Sequence, residues 1–220
     1  MNAPVRLGPA ELTLIEQLNA RGKAAEAERL SGAGLPTRRV ESYHYTDLKA
    51  LLRQVPDLAD VSAGSGAPLL GVPGAARLVI ANGIPLPADT LPKGVHVGVV
   101  DGSGLTTRDD VVVRLNQALA LQSLDINIEG EAGTIEIDRR TDGPAAHVAS
   151  SATIYVADGA TVTLVEVFGG SDEAHVGNHA TYIAVGKGAS VTHVTVDLSG
   201  GKATHLASNE YHLADDARLR

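Results

Sequence analysis

From about residue 125 to the last residue, 220, apolar and polar positions alternate with the period of a β-strand. Ile135 and Ile137 alternate with Glu136 and Asp138, the pattern of a sheet with one buried face. Four alanines, Ala132, Ala160, Ala189 and Ala217, recur at spacings of 28, 29 and 28 residues, the last three in Gly- or Asp-containing turns between β-type segments. A fixed period of this length predicts a solenoid, whose repeats bury their apolar faces only by stacking on one another. Aligned on their alanines, the repeats place Thr163, Val165, Val167, Thr192, Val194 and Val196 inward. The alternate set, Val162, Leu164, Glu166, Val191, His193 and Thr195, then faces outward, available to a covering domain or partner. Twenty-eight residues per turn exceeds the roughly 18 of a hexapeptide solenoid, so a wide parallel β-helix is expected, right-handed and incomplete at its C-terminal end.

The first part of the chain follows a helical period. Residues 9–30 predict one helix, with Pro9 in its first turn, an apolar stripe of Leu12, Leu14, Ile15 and Leu18, Gly22 as a weak point and the glycines at 32 and 34 as its end. A second short helix is expected over 45–54, capped by Thr46, with Asp47 in its first turn and Leu48, Leu51 and Leu52 buried. Residues 57–75, rich in Gly, Ala, Ser and Pro, read as a flexible linker. Strands are predicted at 77–81, before the turn Asn82-Gly83, and at 95–100. A helix is predicted over 111–121 with Leu115, Ala118 and Leu119 inward and the segment from Thr107 to Asp110 as its N-cap. The organisation is therefore a helical region (1–56), a linker (57–75) and a mainly β core (76–220).

Composition narrows the function classes. Aromatics make up only 3% of the chain, so the core rests on Val, Ile, Leu, Ala and Thr, which suits thin layered stacking. A net charge of −8 argues against nucleic acid and anionic membranes, and Arg38-Arg39 is too small a basic cluster to alter that. The absence of cysteine excludes disulfides, zinc–thiolate sites and a thiol nucleophile. With no long apolar run, a cytoplasmic location is expected.

Eight histidines offer the main candidate chemistry. His147, His175 and His205 recur at 28 and 30 residues, so in a parallel β-helix they would stack as a ladder, with His179 four residues beyond His175. Neutral imidazoles in such a ladder could take a first-row metal, but no carboxylate completes a ligand set. Residues 101–104 read as a turn rather than a phosphate loop. Glu166 and Asp197 are placed by alternation on opposite faces, and no nucleophile elbow or zinc-protease motif is present. No catalytic, cofactor-binding or metal residue is assigned.

Residues 34–52 carry the pattern Gly-x-Pro-x-x-Arg-x-Glu-x-Tyr-x-Tyr-Thr-Asp-Leu at Gly34, Pro36, Arg39, Glu41, Tyr43, Tyr45, Thr46, Asp47 and Leu48. The residues themselves suggest the start of a helix with aromatic anchors and an Arg39–Glu41 pair. The segment resembles the N-terminal region of the SufB/SufD family of iron–sulfur cluster assembly proteins, closest to its SufD branch. The resemblance extends to residues 78–83, 115–120 and 152–220, including Asn209–Leu213. It implies a non-catalytic scaffold with no cofactor of its own, working through contacts with a SufB-like paralogue and a SufC-like ATPase. It also implies that the SufC-binding region and the SufB-facing coil follow the residues present here. The open C-terminal coil is then expected to self-associate or to need a capping partner. The alternatives are a carbohydrate-active β-helix enzyme, which needs a groove of repeated acidic and basic residues, and a structural fragment without activity.

Overall fold

Strands stacked in register build the core of the computed structural model, which describes residues 6–88 and 90–220. Eleven strands form two sheets: β1 (Ala76–Ala81), β2 (Ile84–Pro85), β3 (Val95–Asp101), β4 (Gln122–Ile128), β5 (Glu131–Thr141), β6 (His147–Val156), β7 (Thr161–Gly170), β8 (Val176–Val185), β9 (Ser190–Asp197), β10 (Thr204–Leu213) and β11 (Arg218–Leu219). One sheet runs β11-β9-β7-β5-β1-β2 and the other β10-β8-β6-β4-β3. From β4 onward consecutive strands therefore alternate between sheets, and each turn adds one strand to each. The pairs β5–β7–β9 and β4–β6–β8–β10 are parallel, giving a β-solenoid of about three turns, as the period predicts.

The alanines mark one corner of every turn. Ala160, Ala189 and Ala217 donate their N–H to the carbonyls of Ala157, Gly186 and Ala214, and stacked corners are joined by Gly159 to Lys187 and Gly188 to Asp215. Ala160 and Ala189 are completely buried, so the site takes nothing larger than a methyl group without displacing its neighbours. The other end of the solenoid begins with the Asn82-Gly83 turn, where both residues have positive φ (48° and 84°) and β1 folds back on β2, as a two-residue hairpin requires. A Cβ on Gly83 would stand 2.6 Å from the Ala149 carbonyl oxygen.

The inward and outward sets are the reverse of those expected from alanine alignment. Val162, Leu164 and Val191 lie in the apolar core with Ile135, Ile137, Ile154 and Ile183, whereas Val194 is 42% exposed. Both faces of β7 carry Val, so composition alone does not choose the side, and a one-residue slip exchanges every position. Glu166 accordingly points inward. Since Phe168 pairs with Asp197, Glu166 and Asp197 share the inner face instead of opposing each other. Nor does β5 have one wet face: Glu136 and Asp138 are as buried as Ile135 and Ile137. Residues 64–72 cover that face. Glu136 accepts the Gly71 N–H at 2.8 Å and that of Val72, and Asp138 accepts that of Leu69 at 3.2 Å. The segment read as a linker is thus laid along the solenoid, its small residues leaving amides free for these carboxylates. Further upstream, Leu58 bridges His147, joining the segment to β6 as well.

The helices pack on the outer face of the other sheet. The single helix expected over 9–30 is two, α1 (Pro9–Ala20) and α2 (Ala24–Ala33), broken where Gly22 takes φ 70°. Leu14 and Leu18 are buried, but Leu12 faces solvent. The helix expected over 45–54 contracts to α3 (Leu48–Leu51), capped by Asp47, whose carboxylate accepts the Ala50 N–H, rather than by Thr46. Leu48 and Leu52 are buried while Leu51 is exposed. α4 (Val111–Leu119) is capped by Asp110, the last residue of the expected 107–110 cap, and buries Leu115 and Leu119, with Ala118 half-buried. These helices share a second apolar cluster with Ala149 of β6 and Val176 of β8. Asn116 fixes the contact by donating to the carbonyls of Ser150 and Asn178 at 3.0 and 2.7 Å. Among the described residues no helix is long and apolar enough to cross a membrane.

Candidate functional site

The solenoid interior is apolar beside the alanine corners and polar towards the opposite edge. Register places Ile137, Glu166 and Thr195 in one inner row, and Arg139, Phe168 and Asp197 in the next. Across the gap, Ser150 and His179 point inward from β6 and β8, next to Thr181. Arg139 and Glu166 have no exposed side-chain surface and meet at 2.7 Å. The guanidinium also donates to Ser150 Oγ (2.7 Å), Thr181 Oγ1 (2.8 Å) and the Ala180 carbonyl (3.2 Å). Thr181 in turn donates to Glu166 Oε1 at 2.8 Å. Glu166 Oε2 accepts from His193 Nε2 at 3.0 Å, so in the neutral ring Nδ1 accepts from the Tyr211 hydroxyl at 2.8 Å. Burial favours the neutral acid at Glu166, but the Arg139 charge and the His193 and Thr181 hydrogen bonds outweigh it and hold the carboxyl far below its usual range.

This chain runs from β5 through β7 and β8 to β9 and β10, linking three successive turns by groups whose hydrogen bonds are directional. Its buried charges cancel, while His179 Nε2 at its edge is buried and meets no partner among the described residues. What the arrangement does is fix register, since a slip of any strand by one residue would expel a charged group into the apolar layer.

The expected ladder of His147, His175 and His205 does not form. In register, His147 pairs with Val176, and His205 pairs with Gly177. The 30-residue second interval and the corner at His175 shift the phase. His147 points outward, its Nδ1 2.6 Å from Gln17 Oε1 of α1. His175 accepts the Ala146 N–H at 3.2 Å and meets Ser171 Oγ at 2.7 Å. His205 meets Ser199 Oγ at 2.6 Å and stacks on His179, with ring centroids 5.3 Å apart. Ser150 accepts from Arg139 and so turns its own hydrogen to His179 Nδ1, 2.7 Å away. Burial lowers the pKa of all four imidazoles, that of His147 to about 4 and that of His179 well below its ordinary value. Among the described residues no three His, Asp or Glu side chains converge as metal ligands.

Sequence reasoning missed Arg139, Thr181 and Tyr211. The signal was there: Arg139 continues the inward series of Ile135 and Ile137, which reads correctly once the parity is right. The motif near Pro36 is only partly structural. Pro36 accepts the Lys49 N–H, and the Tyr43 hydroxyl lies 3.5 Å from Asp110. Arg39 and Glu41 are both exposed and do not pair with each other, and Tyr45 is 94% exposed, so among the described residues it is no buried anchor. Its neighbour Lys49 joins Arg6 and the buried Glu11, which also accepts the Leu35 N–H at 2.8 Å.

At the end of the solenoid, β10 has a partner on one side only, and the inner side of that rung presents His205, Ala207, Tyr211 and Leu213 beside β9. Ala207 and Leu213 are exposed. Ten residues of parallel strand thus offer a free edge among the described residues, with an apolar and polar row alongside it.

Residues 139–220 match the SufBD core domain of the SUF system for FeS cluster assembly. The matched stretch begins at Arg139 and takes in the polar network, the alanine corners from Ala160 onward and the free edge. It supports membership of the SufB/SufD family and a role in SUF iron–sulfur cluster assembly. No curated protein sequence matches the chain.

Proposed function

We propose that this protein is a SufD-like, non-catalytic scaffold component of the SUF system, working in the cytoplasm through contacts with a SufB-like paralogue and a SufC-like ATPase. The observation that carries this reading is the match of residues 139–220 to the SufBD core domain, on a solenoid in which, among the described residues, β10 is paired on one side only. A parallel edge with its neighbouring inner row recognises a strand of the same rise and spacing, which is what the coil of a paralogous solenoid supplies. The buried Arg139–Glu166 network, which holds register, supports the scaffold reading.

Co-purification with a SufB-like partner tests the proposal. Capture is expected for the unaltered chain, and Ala207→Arg, which sets a charge on the exposed rung without touching strand pairing, is expected to weaken it by about tenfold or more with an unchanged circular dichroism spectrum. Absence of capture by the unaltered chain, or equal capture by the variant, would count against the assignment.

A further inference from the structure

Glu136 and Asp138 sit two residues apart on the outer face of β5, both without exposure to solvent, beneath residues 69–72. Glu136 has both oxygens engaged by the Gly71 and Val72 amides, and Asp138 Oδ2 is engaged by Leu69. Asp138 Oδ1 is buried and meets no donor. Two ionised carboxylates in this position repel each other, whereas a proton on Asp138 turns the orphaned oxygen into a donor towards Glu136. We propose that the Glu136–Asp138 pair is a proton-operated clasp: sharing one proton, it holds the 69–72 strap closed over the β5–β7 face, and on losing that proton to solvent it releases the strap.

The surroundings leave the pair to govern the contact. On β1, Arg77 is the facing charge, 3.5 Å from Asp138 Oδ2, partly exposed and also donating to the Gly66 carbonyl. Along β5, Arg140 is engaged by Asp142 at 2.8 Å and donates to Ala67. β7 presents Val165 and Val167, in register with Glu136 and Asp138, and the strap from Gly66 to Val72 has no ionisable side chain. Val165 and Val167 are buried, while Val194 in the next strand of the same face is exposed, so release would extend an existing apolar stripe.

The two acids act in opposite directions. Desolvation, opposed by the Leu69 amide and reinforced by the Glu136 charge, raises the Asp138 pKa to about 6. A raised value means that closure is favoured fully below the open-state pKa of about 4 and loses that advantage as pH rises through about 6. At Glu136 desolvation is outweighed by the strap amides and the value is lowered, so its contribution fades only at more acid pH. Between pH 5 and 7.5 Asp138 alone moves.

Amide hydrogen exchange of Leu69, Gly71 and Val72, corrected for intrinsic rates and referenced to Ile154 in the core, reads the clasp. Protection at pH 5 is expected to exceed that at pH 7.5 by about tenfold or more. Asp138→Asn, whose amide donates at any pH, is expected to show the same protection at both values. A pH-independent ratio in the unaltered chain overturns the proposal, as does a variant that keeps the dependence.

Discussion

Arg139 and Glu166 show how a single inward position carries the energetics of three turns. Their charges are buried and each of their polar atoms is hydrogen-bonded, so removing one partner strands the other in a medium that solvates it poorly. Arg139→Met is expected to lower unfolding stability by about 3–5 kcal/mol in urea denaturation, and Arg139→Met with Glu166→Leu to cost much less. His147 gives a second prediction at this scale. Its pKa, lowered to about 4 by burial, means that the fold prefers the neutral ring. The stability it contributes is complete above the unfolded value of about 6.5 and is lost as pH falls towards 4, amounting to about 3 kcal/mol. Its NMR titration should begin only below pH 5, and a midpoint near 6.5 would contradict its burial against Gln17. The identities of these residues were plain in the sequence, but their roles were not. Valine on both faces hid the parity of β7, and a histidine spacing of 28 and 30 looked periodic although the corner between β7 and β8 broke the phase.

Among elements, those with a strong period were legible and those decided by distant partners were not. The alternation after residue 125 and the alanine corners gave the solenoid, and Asn82-Gly83 gave the hairpin, because each signal is local. The course of 57–75 was hidden because its anchors, Glu136, Asp138 and Asp142, lie more than sixty residues away in sequence. One helix end failed because Asp47 outcompeted Thr46, and within the expected 107–110 cap it is Asp110 that caps, while Thr107 is held by Glu210 of β10 at 3.1 Å. The corner alanines yield the prediction for this scale. Ala189→Leu forces extra volume into a closed stack and should cost about 1–3 kcal/mol, seen as a lowered Tm, whereas the same change at exposed Ala214 should be nearly silent.

For the whole molecule, helices cover one sheet, the strap covers part of the other, and among the described residues one side of β10 has no strand beside it. Without a partner, the edge is expected to pair with a second copy, so light scattering should show self-association as concentration rises, and a persistent monomer would weigh against an adhesive edge. The most direct test is amide exchange across the chain with and without a SufB-like protein. The account predicts new protection concentrated in Thr204–Leu213, with α1 and α2 unchanged. Protection confined to the helices, or none anywhere, would contradict it.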